Sequence, residues 1–184
     1  MRLSDERYEA IKEVVTSMFE EYDIRCVPIS PNEIAGRMEI PIIAYSSYPS
    51  SKQELLMKKS SDGFSAMDNE GRWKIYYNDA LPFERVHNTL MHELGHIVLD
   101  HSEDSDLAEA EVKFFAKFAL APPVLVHKFQ CEDYQDIARI FEISFEASVY
   151  AWEYYQKWLK HASKKYLNCD LRIWNQFNKY EKIC

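Results

Sequence analysis

At 184 residues, with 47% hydrophobic and 14% aromatic side chains, the chain has the material for one well-filled domain, alone or with a small appendage. A formal net charge of -8 spread along the sequence argues against a general nucleic-acid surface, and no window approaches the roughly 18 apolar residues of a membrane span. The four cysteines, Cys26, Cys131, Cys169 and Cys184, form no C-x-x-C pair, so they read as reduced, mostly structural thiols of a cytoplasmic protein.

The N-terminal run Met1 to Arg7 is charged and is followed by no apolar stretch of the signal-peptide kind. Ser4 is placed to cap a helix in which Tyr8, Ile11, Val15, Met18, Phe19 and Tyr22 recur at helical spacing. A second short helix is predicted from Ser30 as cap and Pro31 at the first helical position, with Ile34 and Met38 turned inward. Ile40 to Tyr45 reads as a strand, with Pro41 at its start or on an edge. Ser46 to Ser51 reads as a loop, and Lys52 to Lys59 as one or two helical turns. Phe64 to Met67 and Trp73 to Asn78 flank the turn-forming Asp68-Asn69-Glu70-Gly71, which predicts a β-hairpin.

The next helix opens at Leu81-Pro82-Phe83-Glu84 and ends near Asp100. Within it stands His92-Glu93-Leu94-Gly95-His96, the H-E-x-x-H arrangement of zinc peptidases. Histidines at i and i+4 share one helix face about one turn apart, close enough to bind one metal ion, with Glu93 beside the metal-bound water. Val86, Leu90, Leu94 and Val98 repeat every four residues, so the helix is buried and its polar side chains need partners.

Catalytic zinc takes three protein ligands plus water, so a third ligand is required. A third histidine six residues after the second is ruled out, because Ser102 stands there and Leu99 occupies the place of the glycine that would turn the chain; His101 is one residue off. A glutamate from the following helix is the other solution. Glu109 and Glu111 are both available, and only one can face the site, because i and i+2 point about 200° apart on a helix. A second electrophile is sought among Tyr76, Tyr77, Arg85 and His101. Trp73 to Asn78, just before the helix, is the expected shelf for an extended substrate.

Further helices are predicted over Ala108 to Leu120, stopped by Pro122-Pro123, and over Val124 to Phe129, Tyr134 to Phe141, Phe145 to Leu159 and Tyr166 to Tyr180. Asp136 to Val149 has the layout of a helix-turn-helix, but its second helix continues into Tyr150, Trp152, Glu153, Tyr154 and Tyr155. That surface is aromatic and acidic where DNA readout favours basic side chains, so the segment reads as a packing or partner-binding bundle. Lys160, Lys164 and Lys165 make a modest basic run of the solvated kind, and Cys169 and Cys184, fifteen residues apart, are a weak signal for a disulfide or a further metal site. The expected fold class is α+β, mostly helical, with a small three-stranded sheet beside the H-E-x-x-H helix. The expected division is a metallopeptidase-like part over 1–128 and a helical extension over 129–184.

About fifty consecutive residues resemble the ImmA/IrrE family of intracellular zinc metallopeptidases. They are Ile75 to Asp79, Arg85, Thr89 to His96, Leu99-Asp100-His101, Glu109 to Ala116 and Leu120-Ala121-Pro122. The resemblance implies one Zn2+ held by His92, His96 and Glu109, Glu93 as catalytic base, and Glu111 outside the ligand set. It also implies an intracellular endopeptidase whose partner is a protein substrate, a helix-turn-helix repressor of a phage or mobile element; composition and charge add the expectation of a cytoplasmic protein with no nucleic-acid or membrane partner. Where the family has asparagine, four residues after the ligand glutamate, this chain has Lys113. The competing reading is a non-proteolytic metal-containing regulator whose C-terminal helices bind a partner.

Overall fold

The structure, a computed structural model, describes residues 2–101, 105–162 and 168–178. Helix α1 (Asp5–Glu21) is capped by Ser4, whose side chain accepts from Arg7 N, and α2 (Pro31–Arg37) by Ser30 in the same way through Glu33 N. Both helices start where sequence placed them, because a cap is a local signal. Strand β1 (Ile42–Ala44) follows, then a 3-10 turn and α3 (Ser50–Lys59), which begins earlier than the serine-rich loop suggested.

Strands β2 (Gly63–Met67) and β3 (Trp73–Tyr77) form the expected hairpin, with Gly63 opposite Tyr77 and Met67 opposite Trp73. Strand β1 pairs parallel to β3, so the order is β1-β3-β2. This corrects the expected substrate shelf: β3 has neighbours on both sides, and β2 is the edge strand on the side of the H-E-x-x-H helix. The physical reason is that β1 returns to β3 across the α3 connection, a pairing no local pattern announces.

Helix α4 (Phe83–Val98) lies across β2 and β3, and α5 (Asp106–Leu120) packs along α4. Two glycines set these approaches. A Cβ at Gly63 would stand 2.8 Å from Tyr76 O and 2.8 Å from Thr89 Cγ2, so the sheet can meet α4 only with glycine there. A Cβ at Gly95 would stand 2.9 Å from Phe115 Cδ1 and 3.0 Å from Val112 Cγ1, both on fully buried residues that cannot move aside.

Helices α6 (Pro123–Lys128), α7 (Tyr134–Phe141), α8 (Phe145–Ala162) and α9 (Asn168–Asn178) follow. Glu142 takes the left-handed conformation between α7 and α8, φ 51°. The α7–α8 pair packs together, and Ala151 and Tyr155 of α8 are buried, so one face of the second helix of that layout belongs to the core. Helix α9 docks on α1, with the Phe19 and Phe177 rings edge to face at 5.6 Å and Gln176 Nε2 donating to Phe19 O. One hydrophobic cluster runs from Leu3 to Phe177. The fold is therefore α+β and mostly helical, with a three-stranded sheet.

Among the described residues, no helix is long and apolar enough to cross a membrane. Cys131 and Cys169 are buried free thiols. Cys26 is disulfide-bonded, which corrects the reading of a reduced thiol there; chain spacing carries no signal for a bridge that forms only through the fold. Lys164, Lys165, Tyr166, Tyr180, Cys184 and Ser102 lie outside the described residues.

Candidate metal centre

Because α4 is continuous through residues 92–96, the two imidazoles stand on one face, with His92 Nε2 and His96 Nε2 3.3 Å apart. The close α4–α5 approach at Gly95 brings in Glu109 from the first turn of α5, which Ser105 caps by accepting from Ala108 N. Glu109 Oε1 lies 3.3 Å from His96 Nε2 and 3.6 Å from His92 Nε2. Tetrahedral zinc with bonds of about 2.0–2.1 Å sets its ligand atoms about 3.3–3.4 Å apart, so this triangle has the edge lengths of such a site. Among the described residues, these three are the group whose donor atoms cluster in this way.

Electrostatics favour the ligand protonation states. Burial holds His92 below its ordinary pKa, which keeps the imidazole neutral at neutral pH. Desolvation pushes Glu109 up, but His92, His96 and Lys113 outweigh it and hold the carboxyl below its ordinary range. A neutral imidazole and an anionic carboxylate are the forms that bind a divalent cation.

Glu93, one residue on from His92, is buried and faces β2. Its Oε2 accepts from Ser65 N at 2.7 Å and from Ser65 Oγ at 2.9 Å. The Ser65 N–H is therefore directed away from β3, to the outer edge of the sheet. Nearby, the buried Tyr45 hydroxyl donates to Ser60 O at 3.2 Å, and burial, with the charges of Glu93 and Asp62, pushes its pKa up to about 12. It stays a neutral donor throughout the physiological range.

The remaining candidates separate. Arg85 is held by both oxygens of Asp62 at 2.8 Å. Tyr76 stacks on Phe64 with centroids 5.1 Å apart, and Tyr77 closes β3 opposite Gly63. Asp100 adopts φ 53°, supplying the turn for which a glycine was missing, and His101 N donates to His96 O at 3.0 Å. His101 thereby sits behind His96, with Nδ1 3.3 Å from His96 Nδ1 and Nε2 3.0 Å from Glu111 Oε2. Arg7 of α1 pairs with the other oxygen of Glu111. Lys113 Nζ lies 3.6 Å from Glu109 Oε2. Ser65 and Arg7 were not legible as site residues: Ser65 is one serine in a short strand, and Arg7 is 104 positions from the glutamate it meets.

The model of the Peptidase_M78 family, described as the IrrE N-terminal-like domain, matches residues 52–153. That span takes in the hairpin, α4, α5 and most of the α7–α8 pair. Comparison with curated proteins finds no match.

Proposed function

The chain belongs to the Peptidase_M78 family, that of the IrrE N-terminal-like domain, and from that membership we propose that it is a zinc-dependent endopeptidase. His92, His96 and Glu109 hold one zinc ion, and Glu93 is the general base. The observation that carries the reading is the triangle of 3.3, 3.3 and 3.6 Å between the three donor atoms. Without a cation, three acceptor-bearing groups packed this closely on a half-buried face would repel or need protons.

Zinc, when bound, supplies Lewis acidity toward the scissile carbonyl and brings the pKa of water toward neutrality. Glu93 takes the proton of the attacking water and passes it to the leaving amine as the C–N bond breaks. Ser65 holds Oε2 of that carboxylate with two donors, which leaves Oε1 to accept the proton. An extended substrate pairs as an added strand with the outward backbone groups of β2 that Glu93 leaves open, since the Ser65 N–H is itself held by Glu93.

A peptidase acts on a protein or peptide, and here we propose a helix-turn-helix repressor of a phage or mobile element, cleaved in the cytoplasm. Residues 129–184 serve as a helical extension of the 1–128 part, packed on it through Phe141, Tyr155 and Phe177. The second reading, a metal-holding regulator, draws on the exposed Phe145 and Leu171 of the C-terminal helices as a partner surface.

Metal analysis of the purified chain should find about one zinc per molecule, lost in His92→Ala. A repressor encoded beside the protein, co-expressed with it, should be cleaved by the wild type. Glu93→Gln keeps the shape and the zinc and should slow cleavage by about a hundredfold or more, the usual weight of a positioned general base. Cleavage unchanged in Glu93→Gln overturns the mechanism, and stoichiometric zinc with no cleavage by the wild type favours the second reading.

A further inference from the structure

We propose that His101, Glu111 and Arg7 form a positioning relay that fixes the tautomer and the ring orientation of His96. The inference rests on the reading of His96 as a metal ligand, and its geometry stands independently of it.

The direction of each link follows from what the groups can donate. Glu111 is anchored by Arg7 and, as a carboxylate, only accepts. The 3.0 Å contact with Glu111 Oε2 therefore needs a hydrogen on His101 Nε2. With the His101 ring in its neutral form, hydrogen on Nε2 leaves a lone pair at Nδ1. The 3.3 Å contact between His101 Nδ1 and His96 Nδ1 then needs a hydrogen on His96 Nδ1. That leaves the lone pair of His96 on Nε2, the atom directed at Glu109 Oε1 and His92 Nε2. The relay selects the one neutral form of His96 able to ligate a cation there.

The fold builds this chain on purpose-made backbone. The left-handed Asp100 returns the chain so that His101 lies against the ring it supports. Helix α5 supplies Glu109 to the front of His96 and Glu111 to its back, since residues two apart diverge by about 200°. Side-chain exposures of 12% for His101 and 14% for Glu111 leave little room for water to replace either partner. Arg7 reaches in from α1, so the support for the ligand extends outside the span matched by the family model.

Two measurements test the relay on the full chain. In the metal-free wild type, at a pH high enough that both rings are neutral, long-range proton–nitrogen spectra should show His96 with its hydrogen on Nδ1 and His101 with its hydrogen on Nε2. The opposite assignment, or a tautomer of His96 unchanged by Glu111→Ala, overturns the inference even if the protein binds no zinc. Chelator competition should show zinc held about 10–100-fold more weakly in His101→Phe, the usual effect of losing a ligand's hydrogen-bonded support. His101→Asn, whose Oδ1 can accept in place of Nδ1, should recover most of that loss. Wild-type zinc affinity in His101→Phe, or no recovery in His101→Asn, overturns the inference. Glu111→Ala, read by the same competition, serves in its place if His101→Phe does not fold. A wild type that binds no zinc instead fails the functional reading, which the spectra separate from failure of the relay.

Discussion

Lys113 stands where the resemblance to the ImmA/IrrE family implies an asparagine, and its position shows what a lysine does there. Its ammonium lies 3.6 Å from Glu109 Oε2, on a side chain 65% exposed, so it competes with a cation for the same carboxylate. Exposed pairs of this kind are worth about 0–1 kcal/mol. Lys113→Asn should therefore tighten zinc binding by up to about fivefold at low salt, and the gain should shrink as ionic strength rises. Chelator competition at two salt concentrations measures it. Weaker binding in the variant would instead make Lys113 a support for Glu109. The motif residues themselves were legible because His92, Glu93 and His96 obey one helical period. Glu109 could be chosen over Glu111 only through the family resemblance, since spacing alone allowed either. Ser65 and Arg7 meet the site by tertiary contact and left no pattern to read.

Elements whose ends are set by local chemistry were the most legible. Ser4 and Ser30 cap their helices as side chains that accept from the first turn. Strand order was not legible, because the β1–β3 pairing joins residues more than thirty positions apart. Helix α4 has a second, non-catalytic tie of the same long-range kind. The buried His87 Nε2 lies 3.0 Å from Ile29 O and donates to it, pinning the segment before α2. Burial holds the His87 pKa below its ordinary value, against the opposing influence of the Ile29 carbonyl and Glu142. A depressed folded pKa means that the unfolded chain takes up its proton first as pH falls below about 6.5. Stability is therefore lost from there down to the folded pKa, and no such loss occurs above about pH 6.5. His87→Gln keeps an amide donor and does not titrate. Denaturant unfolding of the metal-free protein between about pH 7 and pH 5 should show a steeper loss in the wild type than in the variant. Parallel slopes would mean that His87 is not the group responsible.

At the scale of the molecule, the candidate metal centre is held by parts that a sequence reading divided. Arg7 of α1 secures Glu111, and α1 is in turn clamped by α9, where Arg172 pairs with Glu13 and Glu20 and Phe177 packs on Phe19. Lys128 of α6 donates to Phe177 O at 2.9 Å, tying α9 to the helices that follow α5. A hydrophobic cluster continuous from Leu3 to Phe177 gives no plane along which the C-terminal helices would separate cheaply. The chain should consequently unfold as one cooperative unit. Phe177→Ala removes a ring that is 4% exposed and should cost about 3–5 kcal/mol. Three of the four tryptophans, Trp152, Trp158 and Trp174, lie in the C-terminal helices, while Trp73 is in the sheet. Tryptophan fluorescence therefore reports mainly on the C-terminal part, and far-UV circular dichroism reports on the whole chain. In guanidinium both signals should move together to a lower midpoint in the variant, with an unchanged slope. A fluorescence transition that precedes the circular dichroism transition would show the C-terminal helices melting first, and would make them an independent unit and not a buttress of α1.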